Sequence, residues 1–294
     1  MKVRAFGPGT IAIPEITASV LDTSVTIPYT PTSGNLADSV KFYDHTASGS
    51  EFEIEWQIKI GDSDWFNAKT TKHTVYLTRA QPKASGRQES LFYLGCKNAD
   101  GQTTEAGMIS EIWNEFTDWD VRKRGGSSGM TYWGDIPLGP DGKALEQCTN
   151  FDYLISEEDG TCEAWAQLFI EILRAQGTTS PKLAVITPKN VTNPDLNGQF
   201  LLIRNWTSNP SWQALDRIPA QSNTDSPASF DNHAIVKIGT TLYDPSYGRS
   251  FGSENAHENA AFAGFTYLNS SGTQVTATNA SSVQQAQYDT VTYP

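Results

Sequence analysis

Residues 160–169 read GTCEAWAQLF and place a cysteine where a Gly/Asp-rich loop turns into an amphipathic helix. Apolar residues recur at helical spacing from Cys162 to Gln176, and Gly177 follows as a residue that favours a helix end. The free N–H groups and the dipole at a helix N-terminus stabilise a nearby anion. This position therefore predicts a Cys162 thiol that ionises more readily than a free thiol.

Two later segments supply an imidazole and a carboxylate. Residues 232–234 read NHA, and residues 243–248 read YDPSYG. Strands over 233–238 and 241–244 are predicted to form a hairpin around residues 239–240. A thiol, a base and a group that orients the base are the parts of a cysteine nucleophile. We therefore predict a catalytic triad of Cys162, His233 and Asp244.

The first hundred residues are typical of β-structure. Residues 51–60 alternate strictly between apolar and polar side chains, which indicates a strand with one buried face, and a turn follows at 61–64. Further strands are predicted at 20–28, 40–43, 73–78 and 89–96. Short strands separated by Gly, Pro, Asn and Asp favour an immunoglobulin-like β-sandwich over residues 1–104.

Helical periodicity begins near residue 105. This periodicity predicts helices over 108–116, 162–176 and 254–262. Apolar segments between the last two helices predict strands over 182–187 and 200–206. The fold class expected is α+β, with an N-terminal β-sandwich over 1–104, a possible binding module, and a catalytic domain over 105–294.

Residues 105–265 resemble the transglutaminase-like branch of the papain-like cysteine enzymes. The similarity lies in 160–164 opening a helix, LRAQG at 173–177 closing it, NHA at 232–234 and YDPSYG at 243–248. It implies a papain-like α+β fold with Cys162, His233 and Asp244 as the triad. Ile235 stands where the family often has an aromatic residue, and TTSP at 178–181 replaces an apolar residue and proline. The first hundred residues lie outside the resemblance.

Each triad residue also has a structural explanation. In this alternative, Cys162 is a buried cysteine at a helix start, His233 is an ordinary strand histidine and Asp244 is a turn former before Pro245. Their shared order and local context favour the catalytic interpretation. His45, His73 and His257 lack such a context and are expected at the surface.

The resemblance implies acyl transfer on peptide or amide bonds through a thioester. Hydrolysis by a protease or amidase, acting on a protein or peptide, is the favoured reaction. A protein-glutamine transamidase with the same triad is the first alternative, and a binding or structural protein with a vestigial triad is the second.

Acyl transfer needs donors for an oxyanion. The Cys162 N–H is one, and some family members add a tryptophan indole N–H located before the nucleophile. Trp133 is the candidate here, with a packed core aromatic as the alternative explanation. Asn150 and Gln147 are weaker candidates.

Composition excludes several classes of function. The formal net charge is −12, from 33 acidic and 21 basic residues, which argues against nucleic acid as a partner. No apolar run reaches the ~20 residues of a membrane span. The sequence shows no zinc-ligand spacing and no phosphate or dinucleotide motif, so no metal or cofactor is expected. Cys96 and Cys148 are expected either to form a disulfide or to be buried free thiols.

Location and assembly are less constrained by the sequence. Pro8 and Pro14 interrupt the N-terminal stretch, which is not an intact signal peptide, so the chain is either intracellular or lacks its export signal. Low lysine content and a tail rich in Ser, Thr and Asn favour a secreted or periplasmic location over the cytoplasm. The oligomeric state stays open.

Overall fold

The computed structural model describes residues 2–8, 15–20, 23–32, 52–59, 62–73, 76, 78–86, 88–140, 144–188, 200–204, 206, 217–268, 274–278 and 286–291. This part of the chain is a mixed α+β structure with five α-helices and several small, mainly antiparallel sheets. The coarse fold class expected from the sequence is confirmed. No sandwich is identified among these residues.

The helices are α1 (Glu89–Asn98), α2 (Glu105–Thr117), α3 (Phe151–Glu157), α4 (Cys162–Ala175) and α5 (Glu254–Ala261), with a short 3-10 helix at Glu146–Thr149. The strands are β1 (Lys2–Pro8), β2 (Glu15–Val20), β3 (Thr23–Thr32), β4 (Phe52–Lys59), β5 (Phe66–His73), β6 (Thr131–Tyr132), β7 (Asp159–Gly160), β8 (Lys182–Pro188), β9 (Phe200–Ile203), β10 (Arg217–Ala220), β11 (Asn223–Pro227), β12 (Ser229–Phe230), β13 (His233–Ile238), β14 (Thr241–Asp244), β15 (Arg249–Phe251), β16 (Phe262–Leu268), β17 (Gln274–Thr278) and β18 (Ala286–Val291).

The N-terminal strands form one five-stranded sheet in the order β2-β3-β1-β4-β5. The alternating segment at 51–60 is strand β4, as predicted, and it pairs with β5 across the predicted turn. The strand predicted over 20–28 is confirmed in part, since residues 23–28 belong to β3, whereas Val20 ends β2, which pairs with β3 in an antiparallel arrangement. Of the strand predicted at 73–78, His73 is the last residue of β5, and residues 74, 75 and 77 lie outside the described residues. The strand predicted at 40–43 lies outside the described residues.

The strand predicted at 89–96 is wrong, because this segment is the helix α1. Its run of apolar residues is short and fits either a strand or a buried helix. Leu91 and Leu94 are three residues apart, so a helix places both on one face. Both are buried in the core that also contains α2 and α4. Burial against these helices decides the conformation where the local pattern is ambiguous.

Helix α4 is the centre of the larger core. Its aromatic and aliphatic residues are fully buried, with Trp165 and Phe169 among the largest. It contacts α1, α3 and the five-stranded sheet β15-β14-β13-β8-β18. Helices α2, α4 and α5, the strand β8 and the β13–β14 hairpin all appear where the sequence predicts them. This packing fixes Cys162 at one end of a rigid helix, while the sheet carries the histidine and the aspartate.

Gly248, which follows the YDPSY segment, occupies a position that requires glycine. Its φ is 63°, and an added Cβ would collide with the Phe116 carbonyl oxygen and lie 2.9 Å from the Trp119 indole nitrogen. Gly239 has a similar φ of 61° but open space around it. Gly248→Ala should lower the free energy of unfolding by about 3 kcal/mol, against about 1 kcal/mol for Gly239→Ala. Urea denaturation of both variants measures this difference, and equal losses would contradict the packing described at Gly248.

Candidate active site

The nucleophile candidate begins α4. Cys162 is 8% exposed, whereas Cys96 and Cys148 are fully buried. The preceding residue, Thr161, is the N-cap, but its side chain makes no capping hydrogen bond to the helix. Its hydroxyl donates instead to the Cys148 carbonyl at 3.3 Å, and its N–H donates to the same oxygen at 3.1 Å. Because the cap side chain is turned away, no threonine oxygen competes with the Cys162 sulfur for the first N–H groups.

The β13–β14 hairpin positions His233 and Asp244. Its register pairs Val236 with Tyr243, and the same register places Asp244 opposite Ile235. His233, two residues earlier, is then the diagonal neighbour of Asp244 on the same face of the sheet. His233 Nε2 lies 2.8 Å from Asp244 Oδ2, and both side chains are essentially fully buried. The two-residue turn predicted from the sequence thus determines the distance between these groups.

The other ring nitrogen of His233 is left for Cys162. Nδ1 is buried and has no hydrogen-bond partner in the part of the chain that the structure describes. Burial by itself lowers the pKa of His233, but the charge and hydrogen bond of Asp244, together with interaction with the Cys162 side chain, raise it to about 10. A buried imidazole between a thiol and a carboxylate is thereby held in its charged form at neutral pH.

Asp244 responds in the opposite direction. Burial tends to raise the pKa of Asp244, yet the neighbouring His233 outweighs it, with a further contribution from His257, and the pKa falls below its usual value. Asp244 therefore stays ionised at neutral pH. His233 and Asp244 are in direct contact, and the Cys162 side chain contributes to the raised pKa of His233, although 82 positions separate residues 162 and 244 in the chain.

Aromatic rings surround the imidazole. The Phe230 ring stacks on His233 with centroids 4.7 Å apart, and Tyr247 lies 5.5 Å away. Tyr132 packs edge-on against Tyr247 at 5.2 Å. Burial raises the pKa values of both tyrosines well above the usual range, so these hydroxyls stay neutral. The rings exclude water from the histidine and strengthen its interaction with Asp244.

Gln221 fixes the loop after Asp244. Its side-chain amide donates to the Phe116 carbonyl at 2.7 Å and to the Pro245 carbonyl at 2.8 Å. Its backbone carbonyl accepts from the Tyr132 N–H at 2.9 Å. The buried Gln221 thus joins three segments around the site. The sequence around it is polar and gives no periodic signal, so sequence analysis missed this role.

The prediction for His257 is wrong. His257 lies on α5, its exposure is 0%, and its Nε2 is 3.9 Å from Asp244 Oδ2. Its Nδ1 is 2.9 Å from the Tyr288 hydroxyl. Desolvation lowers the pKa of His257, although Asp244 opposes this effect. His73 is the last residue of β5, and its side chain is not among those that the structure describes. His45 lies outside the described residues.

Trp133 lies beside the nucleophile segment. Strands β6 and β7 pair in parallel, and the Trp133 N–H donates to the Gly160 carbonyl at 3.2 Å. The ring is partly buried against the main core. Its φ of 52° is unusual for a bulky residue and stores backbone strain. The tryptophan is therefore brought alongside the chain two residues before Cys162, with its ring packed on the core.

The two weaker oxyanion candidates lie nearby on the 3-10 helix and its end. The side-chain oxygen of Asn150 accepts from the Asp152 N–H at 2.7 Å and so caps α3. Gln147 lines a surface cavity together with Asn150 and Gln167. Their neighbour Cys148 binds Thr161 through its carbonyl, as described above. These residues form the wall beside the start of α4.

The three cysteines are free thiols, so the alternative of a Cys96–Cys148 disulfide is not realised. Cys96 accepts a hydrogen bond from the Gln176 side chain at 3.2 Å. Within the described ranges, no group of three or more His, Cys, Asp or Glu side chains is arranged to hold a metal ion. No helix among the described residues is long and apolar enough to cross a membrane.

Comparisons with protein-family models, with curated proteins and with solved structures found no match to this chain.

Proposed function

We propose that this protein is a cysteine-dependent acyl-transfer enzyme that hydrolyses amide bonds of a protein or peptide. The observation that carries the proposal is the arrangement at His233. One ring nitrogen lies 2.8 Å from the buried Asp244 carboxylate, and the other, Nδ1, is buried without a hydrogen-bond partner among the described residues and so is available to Cys162 at the start of α4. A nucleophile, a base and an orienting group in this relation are the parts that acyl transfer requires.

The proposed reaction begins with the Cys162 thiolate, which the His233 imidazolium and the helix N-terminus stabilise. The sulfur attacks the amide carbonyl carbon and forms a tetrahedral oxyanion. His233 gives its Nδ1 proton to the leaving amine, the C–N bond breaks and a thioester remains. Water then attacks the thioester while His233 accepts a proton, and the acid product leaves with the thiolate restored. Asp244 holds the ring throughout.

The oxyanion is assigned in this proposal to the Cys162 N–H and the Trp133 indole N–H. The free first turn of α4 supports the first donor, since the Thr161 side chain does not cap it. The hydrogen bond from the Trp133 backbone N–H to Gly160, which brings this residue alongside the chain two positions before Cys162, and the strained Trp133 backbone support the second. Strain at a bulky residue is commonly found where function requires a particular geometry.

The finer fold is part of the same proposal. A helix with cysteine at its N-terminus, packed on an antiparallel sheet that carries histidine and aspartate, is similar to the transglutaminase-like members of the papain-like fold. The proposal also includes the division of the chain at residue 104. It further includes a binding role for the N-terminal β-region as a sandwich module. The aromatic surroundings of His233 support a water-poor site, in which electrostatic catalysis is most effective.

A single assay separates hydrolysis from the two alternatives. The protein is mixed with a glutamine-rich protein and a fluorescent primary amine. Hydrolysis gives ammonia or new amino termini without attachment of the dye, and this result is expected. Attachment of the dye to glutamine side chains would show transamidation. Neither product, over a panel of denatured proteins, would contradict an acyl-transfer enzyme and leave the vestigial triad as the explanation.

The His233–Asp244 pair also predicts how stability depends on pH. His233 has a raised pKa, so its stabilising contribution is complete below about 6.5, the pKa in the unfolded chain. It is lost as the pH rises through about 10. The wild type should therefore exceed Asp244→Asn in free energy of unfolding by more at pH 6.5 than at pH values above 10. Urea titrations at both pH values test this, and a gap that does not change with pH would contradict the charged pair.

A further inference from the structure

His257 is built into the far side of the site, where the mechanism above gives it no role. Its ring is surrounded by Phe251, with centroids 5.1 Å apart, and by Phe262 at 5.3 Å. Phe262 belongs to the small core that covers the face of the sheet carrying Ile235 and Leu242. Because Asp244 and His233 lie on that same face, α5 brings a second histidine to the carboxylate that already contacts His233.

The polar atoms of this ring are only half satisfied. Nδ1 lies 2.9 Å from the Tyr288 hydroxyl, but Nε2 has no hydrogen-bond partner among the described residues. Asp244 Oδ1 is likewise buried and without a partner there. Nε2 faces the carboxylate, 3.9 Å from Oδ2. A buried polar group without a hydrogen bond lowers the stability of the fold. A shift of about 1 Å would bring His257 Nε2 within hydrogen-bonding distance of the Asp244 carboxylate.

We propose that His257 is a positioning residue for the triad, which donates its Nε2 proton to the Asp244 carboxylate and so fixes the carboxylate plane against His233. This inference rests on the proposed function. With His233 and His257 both directed at Asp244 Oδ2, rotation about the Asp244 side chain is restricted. His233 then keeps the tautomer and the orientation that Cys162 needs.

Tyr288 determines which nitrogen of His257 carries the proton. A neutral imidazole has one N–H, and burial keeps this ring neutral. The Tyr288 hydroxyl is 2.9 Å from Nδ1 and 3.3 Å from the Glu254 carbonyl. The hydroxyl has one proton, so donation to Nδ1 competes with donation to the Glu254 carbonyl, and the shorter contact favours Nδ1. The proton of His257 is then placed on Nε2, toward Asp244. The residues Tyr288, His257, Asp244, His233 and Cys162 thus follow one another as a series of polar groups, of which Tyr288 is partly buried and the other four are buried.

A matched pair of variants tests this role. His257→Gln retains an N–H donor near the position of Nε2, whereas His257→Met keeps an apolar side chain of similar length without a donor. The readout is the rate at which iodoacetamide modifies Cys162 at pH 7, located by mass spectrometry of the peptide. We expect His257→Met to lower this rate about tenfold and His257→Gln to retain most of it. Tyr288→Phe should lower the rate as well, because the tautomer is no longer fixed.

The same substitutions in the Asp244→Asn background separate positioning from structure. If His257 acts through Asp244, His257→Met adds no further loss there, because interacting residues are not additive. An equal loss in both backgrounds, or a His257→Met protein that reacts at the wild-type rate, would overturn the inference. Should His257→Met fail to fold, as judged by circular dichroism, Tyr288→Phe decides, and an unchanged rate in that variant would overturn it. A wild-type Cys162 no more reactive than N-acetylcysteine would instead overturn the proposed function.

Discussion

Replacing Cys162 with alanine should lower amide hydrolysis by a factor on the order of 10⁴ or more. The sulfur is the only atom of the proposed mechanism that bonds to the substrate, so no neighbouring group replaces it. Alanine favours helix formation and removes only one atom at the first turn of α4. The variant should therefore fold normally and bind substrate while losing the chemical step. The measurement is release of ammonia or new amino termini from the substrate found in the amine-incorporation assay.

Cys96→Ala is the matched control, since Cys96 is also a buried free thiol and lies on α1, outside the proposed machinery. It should keep the wild-type kcat and lose some stability from the cavity that the missing sulfur leaves. Equal activity of Cys162→Ala and wild type would show that the nucleophile is a different group. Equal loss in both variants would point to damage to the fold.

The second large effect is expected for Asp244→Asn, which should reduce kcat by about 10³- to 10⁴-fold. Asparagine keeps the shape of the side chain but removes the negative charge that raises the pKa of His233. Its amide group also favours the wrong tautomer of the imidazole. The loss should appear in kcat, with little change in KM, because Asp244 is fully buried and does not touch the substrate in the proposed mechanism.

Asp225→Asn serves as the control for this charge change, because Asp225 is an exposed residue on β11. It should leave kcat within about twofold of the wild type, as surface substitutions usually have small effects. An Asp244→Asn variant with nearly full activity would contradict the role given to the carboxylate. It would also remove the basis for the His257 inference.

The nucleophile helix and the hairpin were predictable because each has a strong local signal. The apolar periodicity of 162–176 needs no tertiary context, and the Gly239-Thr240 turn fixes the register that makes His233 and Asp244 diagonal neighbours. The strand predicted at 89–96 is wrong because a short apolar run is compatible with two conformations, and the segment is the helix Glu89–Asn98. Its burial against α4 decides the outcome, and that contact is not visible in the segment itself.

The residues that support the site through tertiary contacts could not be predicted from the sequence. His257 stands in a polar helix, ENAHENAA, whose composition indicates a surface histidine. Its burial depends on Phe251, Phe262 and Tyr288, which arrive from three separate segments. Gln221 likewise acts through carbonyls of residues 116 and 245, which are distant in the chain. Such roles arise from tertiary packing, so no local pattern encodes them.

The most direct test of the whole account is the pH profile of Cys162 alkylation by iodoacetamide, compared with N-acetylcysteine. The slight exposure of Cys162, against none for the other two cysteines, should make it the residue that reacts first. A thiolate paired with the His233 imidazolium predicts a rate at pH 6 and at pH 7 that is well above the rate of N-acetylcysteine. A rate no higher than that of N-acetylcysteine at both pH values would contradict the activated nucleophile.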